Sequence, residues 1–324
     1  MIRFVRAAVA LFAFAALAGA AHAQTYPERP IRVIVPYPAG GGIDIIARVL
    51  GDELAKRIGQ GFVVVNQPGG STIPAATEVA RAAPDGYTLL LTTDSTISVN
   101  PYLFTKLPYD PVKDFVPITQ LVLLQQMLLA HPSVPANNLK ELVALAKQKP
   151  GSLNYGSYGN GSQPQLAMET FKQQAGIEIV HIPYKGIPQA IPAAIAGEVQ
   201  LTYSGAASSQ GHIKAGRLKA LAIGGEKRLP LVPDVPTFTE QGYPGVPASA
   251  WFGLFAPAGT PPAIVDKLAA EINAILRTPD FKAKQIDAKG YDLVGSTPAE
   301  FVVFLREDSV RSGRAVKISG AKVE

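Results

Sequence analysis

Ile31 to Asp44 read Ile-Arg-Val-Ile-Val-Pro-Tyr-Pro-Ala-Gly-Gly-Gly-Ile-Asp, and this stretch indicates the fold most directly. The β-branched run at its start is typical of a buried strand in a parallel sheet, and Pro36 ends that strand because proline cannot donate to the ladder. Three glycines follow, and the apolar residues after them recur with helical spacing. We expect Asp44 to be the N-cap of this helix. The segment therefore predicts a strand, a glycine turn and a helix N-terminus.

This turn has the properties of an anion site. The first N–H groups of a helix lack intrahelical acceptors and carry a partial positive charge, which favours a phosphate or a carboxylate. The glycine spacing is neither a G-x-G-x-x-G fingerprint nor a P-loop, so we do not expect a nucleotide. A plain turn between a strand and a helix is the alternative that the pattern leaves open.

Composition limits the class of protein. The chain has 324 residues, 47% of them hydrophobic, which is enough for two domains with cores of their own. Its net charge of +5 is mild, and no basic run is interleaved with aromatic residues. We therefore expect no nucleic-acid partner.

The N-terminus has the pattern of a cleavable signal peptide. Two arginines precede an apolar run from Ala7 to Ala18, and Ala21-His22-Ala23 is an A-x-A cleavage site before Gln24. The apolar run is shorter than the roughly 20 residues of a membrane-spanning helix. Because the chain has no cysteine, it has no thiol for a lipid anchor, a disulfide or a thiolate metal site. We predict cleavage after Ala23 and a protein free in an extracytoplasmic space.

Strand and helix patterns alternate along the chain and predict an α/β fold. Residues 62–65 and 87–92 are further strands, which with 31–35 form a βαβαβ unit with its loops at one sheet edge. A long strand at 117–130 leads into a second half with the same alternation, and a strand at 250–256 leads back. Three helices are predicted to end the chain, at 261–276, 280–288 and 298–317.

The two crossings predict a two-lobed architecture like that of type II periplasmic binding proteins. Each lobe is expected to be a mainly parallel sheet flanked by helices, with the crossing strands as a hinge. After the signal peptide at 1–23, lobe 1 comprises residues 24–122 and 245–324, and lobe 2 is inserted at 123–244.

Eight motifs carry a resemblance to a known family, in order along the chain: Tyr26 to Pro30, Pro36 to Asp44, Ala80 to Leu89, Leu107 to Phe115, Tyr155 to Ser162, Pro183 to Gly186, Pro233 to Thr237 and Trp251 to Pro262. The chain resembles the substrate-binding proteins of tripartite tricarboxylate transporters, the Bug or TctC-like family. Two positions depart from the family pattern. Val65-Asn66-Gln67-Pro68-Gly69 stands where members usually have Glu-Asn-Arg-Pro-Gly, and Gln165 stands where a histidine is common.

The resemblance implies a periplasmic protein that captures a small carboxylate between two lobes and delivers it to the membrane subunits of a transporter. It also implies that backbone N–H groups and bridging waters hold the carboxylate, in loops that match Pro36 to Gly42 and Gly156 to Ser162. A dicarboxylate could use both helix N-termini, and the tyrosines near strand ends make an aromatic or longer apolar acid plausible, so both ligand classes stay open. Candidate ligand-binding residues are Tyr37, Pro38, Ala39, Gly40, Gly41, Asp44, Thr93, Ser95, Ser157, Tyr158, Gly159, Asn160, Gly161, Ser162, Tyr184, Lys185, Ser204 and Gly205.

An exported hydrolase with its active site in the cleft between the lobes is the alternative. His131, His181 and His212 lack the i, i+4 spacing of a zinc site, and there is no G-x-S-x-G elbow. A catalytic triad whose residues are distant in sequence and meet only in the folded protein stays an open alternative. Without internal repeats, a scaffold is disfavoured. We expect a monomeric binding protein, and not an enzyme, with no metal and no cofactor.

Overall fold

The computed structural model describes residues 26–321, which form helices around one ten-stranded mixed sheet. The predicted signal peptide lies outside the described residues. The strands are β1 Ile31–Val35, β2 Phe62–Asn66, β3 Thr88–Thr92, β4 Phe115–Ala130, β5 Asn154–Ser157, β6 Val180–Pro183, β7 Leu201–Gly205, β8 Lys219–Ile223, β9 Ser249–Pro257 and β10 Tyr291–Leu293.

Two parallel groups of strands lie at the two ends of the sheet. The order is β2-β1-β3-β9-β4-β7-β5-β6, and β8 and β10 also pair with β4. Strands β2, β1 and β3 are parallel, as are β6, β5 and β7. Strands β4 and β9 pair antiparallel with their neighbours and make the sheet mixed. The predicted α/β fold class is therefore confirmed, with antiparallel pairs between the two parallel groups.

Strand β4 connects the two groups because its two ends have different partners. From Phe115 to Gln125 it pairs with β9, and from Gln126 to Ala130 it pairs with β7. Separate apolar cores pack against the first and the second part of this strand. One contains β1 and the first helix, and the other contains β5 and β7. Each group of strands therefore buries apolar surface of its own, as expected of two lobes.

The helices cover the faces of the sheet. They are α1 Gly42–Ile58, α2 Ile73–Ala80, α3 Asn100–Leu103, α4 Leu139–Gln148, α5 Gln163–Ala175, α6 Ile187–Ala196, α7 Ala206–Lys214, α8 Pro262–Leu276 and α9 Pro298–Ser319. No helix of residues 26–321 is long and apolar enough to cross a membrane. Helix α3 and strand β10 were not predicted.

One predicted helix is replaced by a series of turns. Residues 280–288 were expected to be helical, but they form a short helical turn at Pro279–Phe281, a π-helical turn at Lys282–Ile286 and a 3₁₀ turn at Asp287–Lys289. Phe281 and Ile286, five residues apart, are both buried in the same core. A wide turn with i→i+5 spacing puts both on one side, whereas the 3.6-residue period of an α-helix would separate them.

The last helix, α9, contacts both groups of strands. It begins with a capping box between Thr297 and Glu300, and Phe301 packs near Trp251 in the core beside β3 and β9. Near its end, Ala315 and Val316 lie in a cluster with Leu166 of α5. The helix therefore extends from the first group of strands to the second.

Candidate functional site

The first glycine loop ends at α1, and its N-cap differs from the prediction. The helix begins at Gly42 with Gly41 as N-cap, so Asp44 is the third helical residue and does not cap the helix. Its buried carboxylate instead accepts a hydrogen bond from the N–H of Gly40 at 2.8 Å. A carboxylate at this position can reach back to an N–H group that precedes the helix, as in a capping box. Asp44 therefore holds the loop in place.

Two further side chains hold Asp44 and the loop together. Arg48 Nε donates to Asp44 at 3.1 Å, and Asn66 Nδ2 donates to Asp44 Oδ1 at 2.9 Å and to the carbonyl of Tyr37 at 3.0 Å. Burial would raise the pKa of Asp44, but the hydrogen bonds from Arg48, Gly40 and Asn66 together keep this pKa below its ordinary value. The carboxylate is therefore ionised at neutral pH and already has protein partners.

The loop after β3 contacts the first glycine loop. The hydroxyl groups of Tyr37 and Thr93 are 2.6 Å apart, and Thr93 Oγ1 accepts from the N–H of Ser95 at 3.3 Å. Burial raises the pKa of Tyr37 to about 12, so its phenol stays protonated at neutral pH. Tyr37, Thr93 and Ser95 therefore form one polar group at the carboxyl ends of β1 and β3, where α/β sheets bind ligands.

The second glycine loop joins β5 to α5 and is bonded within itself. Ser157 Oγ donates to the carbonyl of Gly159 and accepts from its N–H, both at 3.1 Å. Ser162 Oγ donates to the same carbonyl at 2.6 Å. Ser162 is the N-cap residue of α5, but its side chain does not cap the helix. The loop thus has a fixed shape before any ligand is considered.

Gly161 is the residue of this loop that lies against helix α3. It is buried with a φ of +73°, and a Cβ there would overlap Leu103 of α3. Its N–H donates to Gln165 Oε1 at 2.6 Å. Leu103, Val99 and Leu166 belong to one apolar cluster. Since α3 follows the Thr93 loop closely in the chain, the second glycine loop and the β3 loop lie near each other.

Both helix N-termini keep N–H groups that have no acceptor. Within residues 26–321, nothing accepts from the N–H groups of Gly42, Ile43 and Asp44 at α1, or from those of Gln163 and Gln165 at α5. These groups carry the positive end of each helix dipole. The arrangement can therefore bind anionic oxygen atoms at two places.

The other predicted residues lie around these two loops. Tyr158 donates its hydroxyl to the carbonyl of Tyr203, and the Tyr184 N–H donates to the carbonyl of Ser157 at 3.0 Å. Ser204 is buried and Gly205 precedes α7. The remaining candidates are exposed on the loop surfaces: Pro38, Ala39, Gly40, Gly41, Asn160 and Lys185.

His181 and Gln165 support the second loop, a role that the sequence pattern did not predict. His181 Nε2 lies 2.6 Å from Ser157 Oγ, and Gln165 Nε2 lies 3.3 Å from His181 Nδ1. The alternation of exposed and buried positions in a strand could have placed His181 on one face, but not against these partners. A serine–histidine contact is also what a hydrolase needs. Here, however, the group on the far side of His181 is an amide and not a carboxylate, and Ser157 is 0% exposed.

Comparison with known proteins identifies the family of this chain. Residues 46–320 match the model of the tripartite tricarboxylate transporter family receptor, TctC. BugT of Bordetella pertussis is 35% identical over 325 residues, which cover 100% of this chain and 99% of BugT.

Two solved structures add bound molecules to this likeness. MatC from Rhodopseudomonas palustris with bound malate is 33% identical with a TM-score of 0.81, covering 90% of this chain and 100% of MatC. An R. palustris protein with adipate is 32% identical with a TM-score of 0.84, covering 91% of this chain and 98% of that one. Proteins of this type are periplasmic solute-binding receptors of transporters and not enzymes. The chain therefore belongs to the tripartite tricarboxylate transporter receptor family.

Proposed function

We propose that this receptor binds a small dicarboxylate between two lobes, one made of residues 24–122 and 245–324 and the other of residues 123–244. The bound acid is then delivered to the membrane subunits of a tripartite tricarboxylate transporter. Strands β4 and β9 join the lobes, and α9 contacts both of them. The ligand occupies the space between the two glycine loops.

The observation that carries the proposal is the pair of helix N-termini with unbonded N–H groups. One belongs to α1 and the other to α5. Tyr37 of the loop before α1 contacts Thr93, and Gly161 of the loop before α5 lies against Leu103 of α3, which follows the Thr93 loop in the chain. A dicarboxylate has one anionic group for each N-terminus, so it can use both at once. Malate and adipate in the two R. palustris proteins are dicarboxylates, which favours this class over an aromatic monocarboxylate.

Backbone donors and not cations hold the carboxylates in this proposal. The guanidinium of Arg48 is paired with Asp44, and Lys185 is exposed on the second lobe. Each hydrogen bond to a charged group contributes about 1.5–3 kcal/mol, whereas an exposed ion pair contributes about 0–1 kcal/mol. Waters bridge the ligand to the hydroxyl groups of Tyr37, Thr93 and Ser95.

The protein works in the periplasm as a monomer, exported by its signal peptide and cleaved after Ala23. The intact mass of the periplasmic protein should match a chain that begins at Gln24, and retention of residues 1–23 would contradict cleavage at this site. Analytical ultracentrifugation of the same preparation tests whether the protein is monomeric.

Calorimetry with malate and adipate tests the proposal. The acids should bind and be recovered unchanged, while their dimethyl esters, which keep the shape but lack the charge, should not bind. The esters also test the alternative of a hydrolase, which would release acid from them. Absence of binding by every small dicarboxylate tried, with the protein folded, would contradict the proposed ligand class.

A further inference from the structure

His181 lies behind the second glycine loop, between the two side chains that hold it. On one side, Ser157 Oγ is 2.6 Å from His181 Nε2, and the same oxygen is bonded to both the carbonyl and the N–H of Gly159. On the other side, Gln165 Nε2 is 3.3 Å from His181 Nδ1, while Gln165 Oε1 accepts from the N–H of Gly161. One imidazole ring is thus linked to both ends of the loop.

These contacts allow one arrangement of protons. The bond from the Gly161 N–H requires the oxygen of the Gln165 amide to face the loop, so its NH₂ group faces His181. Because that NH₂ group can only donate, His181 Nδ1 must accept and the ring proton must be on Nε2. The Nε2–H then donates to Ser157 Oγ, and the Ser157 hydroxyl donates to the Gly159 carbonyl.

We propose that His181 is a positioning residue of the carboxylate site, whose neutral Nε2–H form holds the Gly159–Gly161 backbone in its binding shape through Ser157 and Gln165. The inference rests on the proposed function, since the loop is taken to bind one end of a dicarboxylate. His181 itself does not contact the ligand.

Protonation of His181 would disrupt this support. A second ring N–H at Nδ1 would face the NH₂ group of Gln165, placing a donor against a donor. Rotation of the amide would relieve that conflict, but it would turn the NH₂ group toward the N–H of Gly161 and leave that N–H without an acceptor. Ligand binding and protonation of His181 therefore oppose each other, and by linkage affinity falls as the ring becomes charged.

The surroundings of His181 favour the neutral ring. Tyr155 of β5 stacks on it with ring centroids 4.9 Å apart, and Glu169 and Lys172 of α5 are the nearby charges. These two form an ion pair at 2.7 Å, so their effects on the ring partly cancel. Burial is the largest influence and lowers the pKa of His181 below its ordinary value.

Gln165→Glu is the variant that separates this role from a merely structural one. A carboxylate can accept from the Gly161 N–H and also from a protonated Nδ1, so the loop keeps its shape when His181 is charged. Gln189→Glu is the matched control. Gln189 Oε1 accepts from the N–H of Lys185 in the neighbouring loop at 3.0 Å, with the same four-residue spacing, and no histidine of the described chain bonds to it.

Nuclear magnetic resonance of the unliganded protein gives the first measurement. In the wild type, the ring proton of His181 should be on Nε2, and the amide signals of Gly159 and Gly161 should shift with the titration of His181. In Gln165→Glu, the pKa of His181 should rise. The amide signal of Gly161 should keep its position while His181 titrates. A ring proton on Nδ1, or glycine signals that ignore His181, would overturn the proposal.

Calorimetry with adipate and malate between about pH 5 and 8 gives the second measurement. The wild type and Gln189→Glu should lose affinity by up to about tenfold for each pH unit below the midpoint of the His181 titration, since one proton is coupled. Gln165→Glu should lack this loss, and comparison with the same acid removes the ligand's own titration. An equal loss in all three proteins would overturn the proposal. If no dicarboxylate binds even at neutral pH, the proposed function fails, while the resonance measurement still decides the role of His181.

Discussion

Asp94 is an acid buried in the loop after β3, between Thr93 and Ser95. Burial and the negative charge of Asp308 raise the pKa of its carboxyl group to about 7. Asp308 itself accepts from the Trp251 indole at 2.9 Å and from Arg311 at 3.1 Å, which fixes its carboxylate in place. Ionisation of Asp94 therefore destabilises the loops around the site as the pH rises.

We expect Asp94→Asn to stabilise the protein at alkaline pH. The folded-state pKa is raised from 3.8 to about 7, so the contribution of Asp94 to stability is full below pH 3.8 and is lost as the pH rises through about 7. Asparagine does not ionise. At pH 8 the variant should exceed the wild type by up to about 4 kcal/mol, at about 1.4 kcal/mol per pKa unit. Denaturant unfolding at pH 4 and 8 measures this difference.

Asp52→Asn is the control for that experiment, because it removes the same charge from an exposed position on α1. We expect its effect to stay within about 0.5 kcal/mol at both pH values. If Asp94→Asn gave the same gain at pH 4 as at pH 8, titration of the buried carboxyl would not be the cause.

At the scale of elements, two variants distinguish capture of the carboxylate by backbone N–H groups from an ion pair. One variant is at the junction between β5 and α5, and the other is at Lys185. We expect Gly161→Val to nearly abolish dicarboxylate binding, because its side chain would overlap Leu103 and strain a φ of +73°. Lys185→Met should weaken binding by less than about tenfold, or ~1.4 kcal/mol. Calorimetry of both variants, after circular dichroism has shown them folded, measures these effects.

Gly151→Val provides a matched control for the backbone strain. Gly151 also has a φ of +73°, but it lies at an exposed turn with nothing within 4 Å of a Cβ. The Gly151→Val variant should be less stable than the wild type but should bind the dicarboxylate with unchanged affinity. If Lys185→Met abolished dicarboxylate binding and Gly161→Val preserved it, Lys185 would be the partner of the carboxylate.

At the scale of the whole molecule, two antiparallel strands join the groups that we propose as lobes. Only β4 and β9 carry the sheet from one group to the other within residues 26–321, and α9 lies across both. Such a connection permits rotation about a hinge, since few backbone hydrogen bonds must change. Contact between Leu103 and Gly161 shows how closely the two sides approach.

We therefore expect ligand to compact the protein. Small-angle X-ray scattering should give a smaller radius of gyration with saturating adipate or malate than without ligand, because a closed cleft excludes solvent. The dimethyl esters are the control and should leave the profile unchanged. A profile that stays the same with the acids, at concentrations where calorimetry shows binding, would mean a rigid or preclosed site.

The local patterns of the sequence predicted most elements of the fold. Pro36 ends β1 where expected, and the long apolar run became the single strand β4. A glycine turn before an apolar helical stripe indicated the first anion-binding loop. The order of motifs indicated the family, and the resemblance to that family indicated the second loop. These features depend on the spacing of residues that are neighbours in the chain, which composition and period reveal directly.

Tertiary structure decided which groups those loops leave available. Asp44 was expected to cap α1, but Asn66, 22 residues away, and Gly40 make it a support of the loop. His181 and Ser157, 24 residues apart, meet because β5 and β6 pair in register. The partner of a polar group at such a distance depends on how elements pack. No local spacing records that packing, so the sequence indicated where a carboxylate could bind, and the tertiary contacts determined how the protein shapes the site.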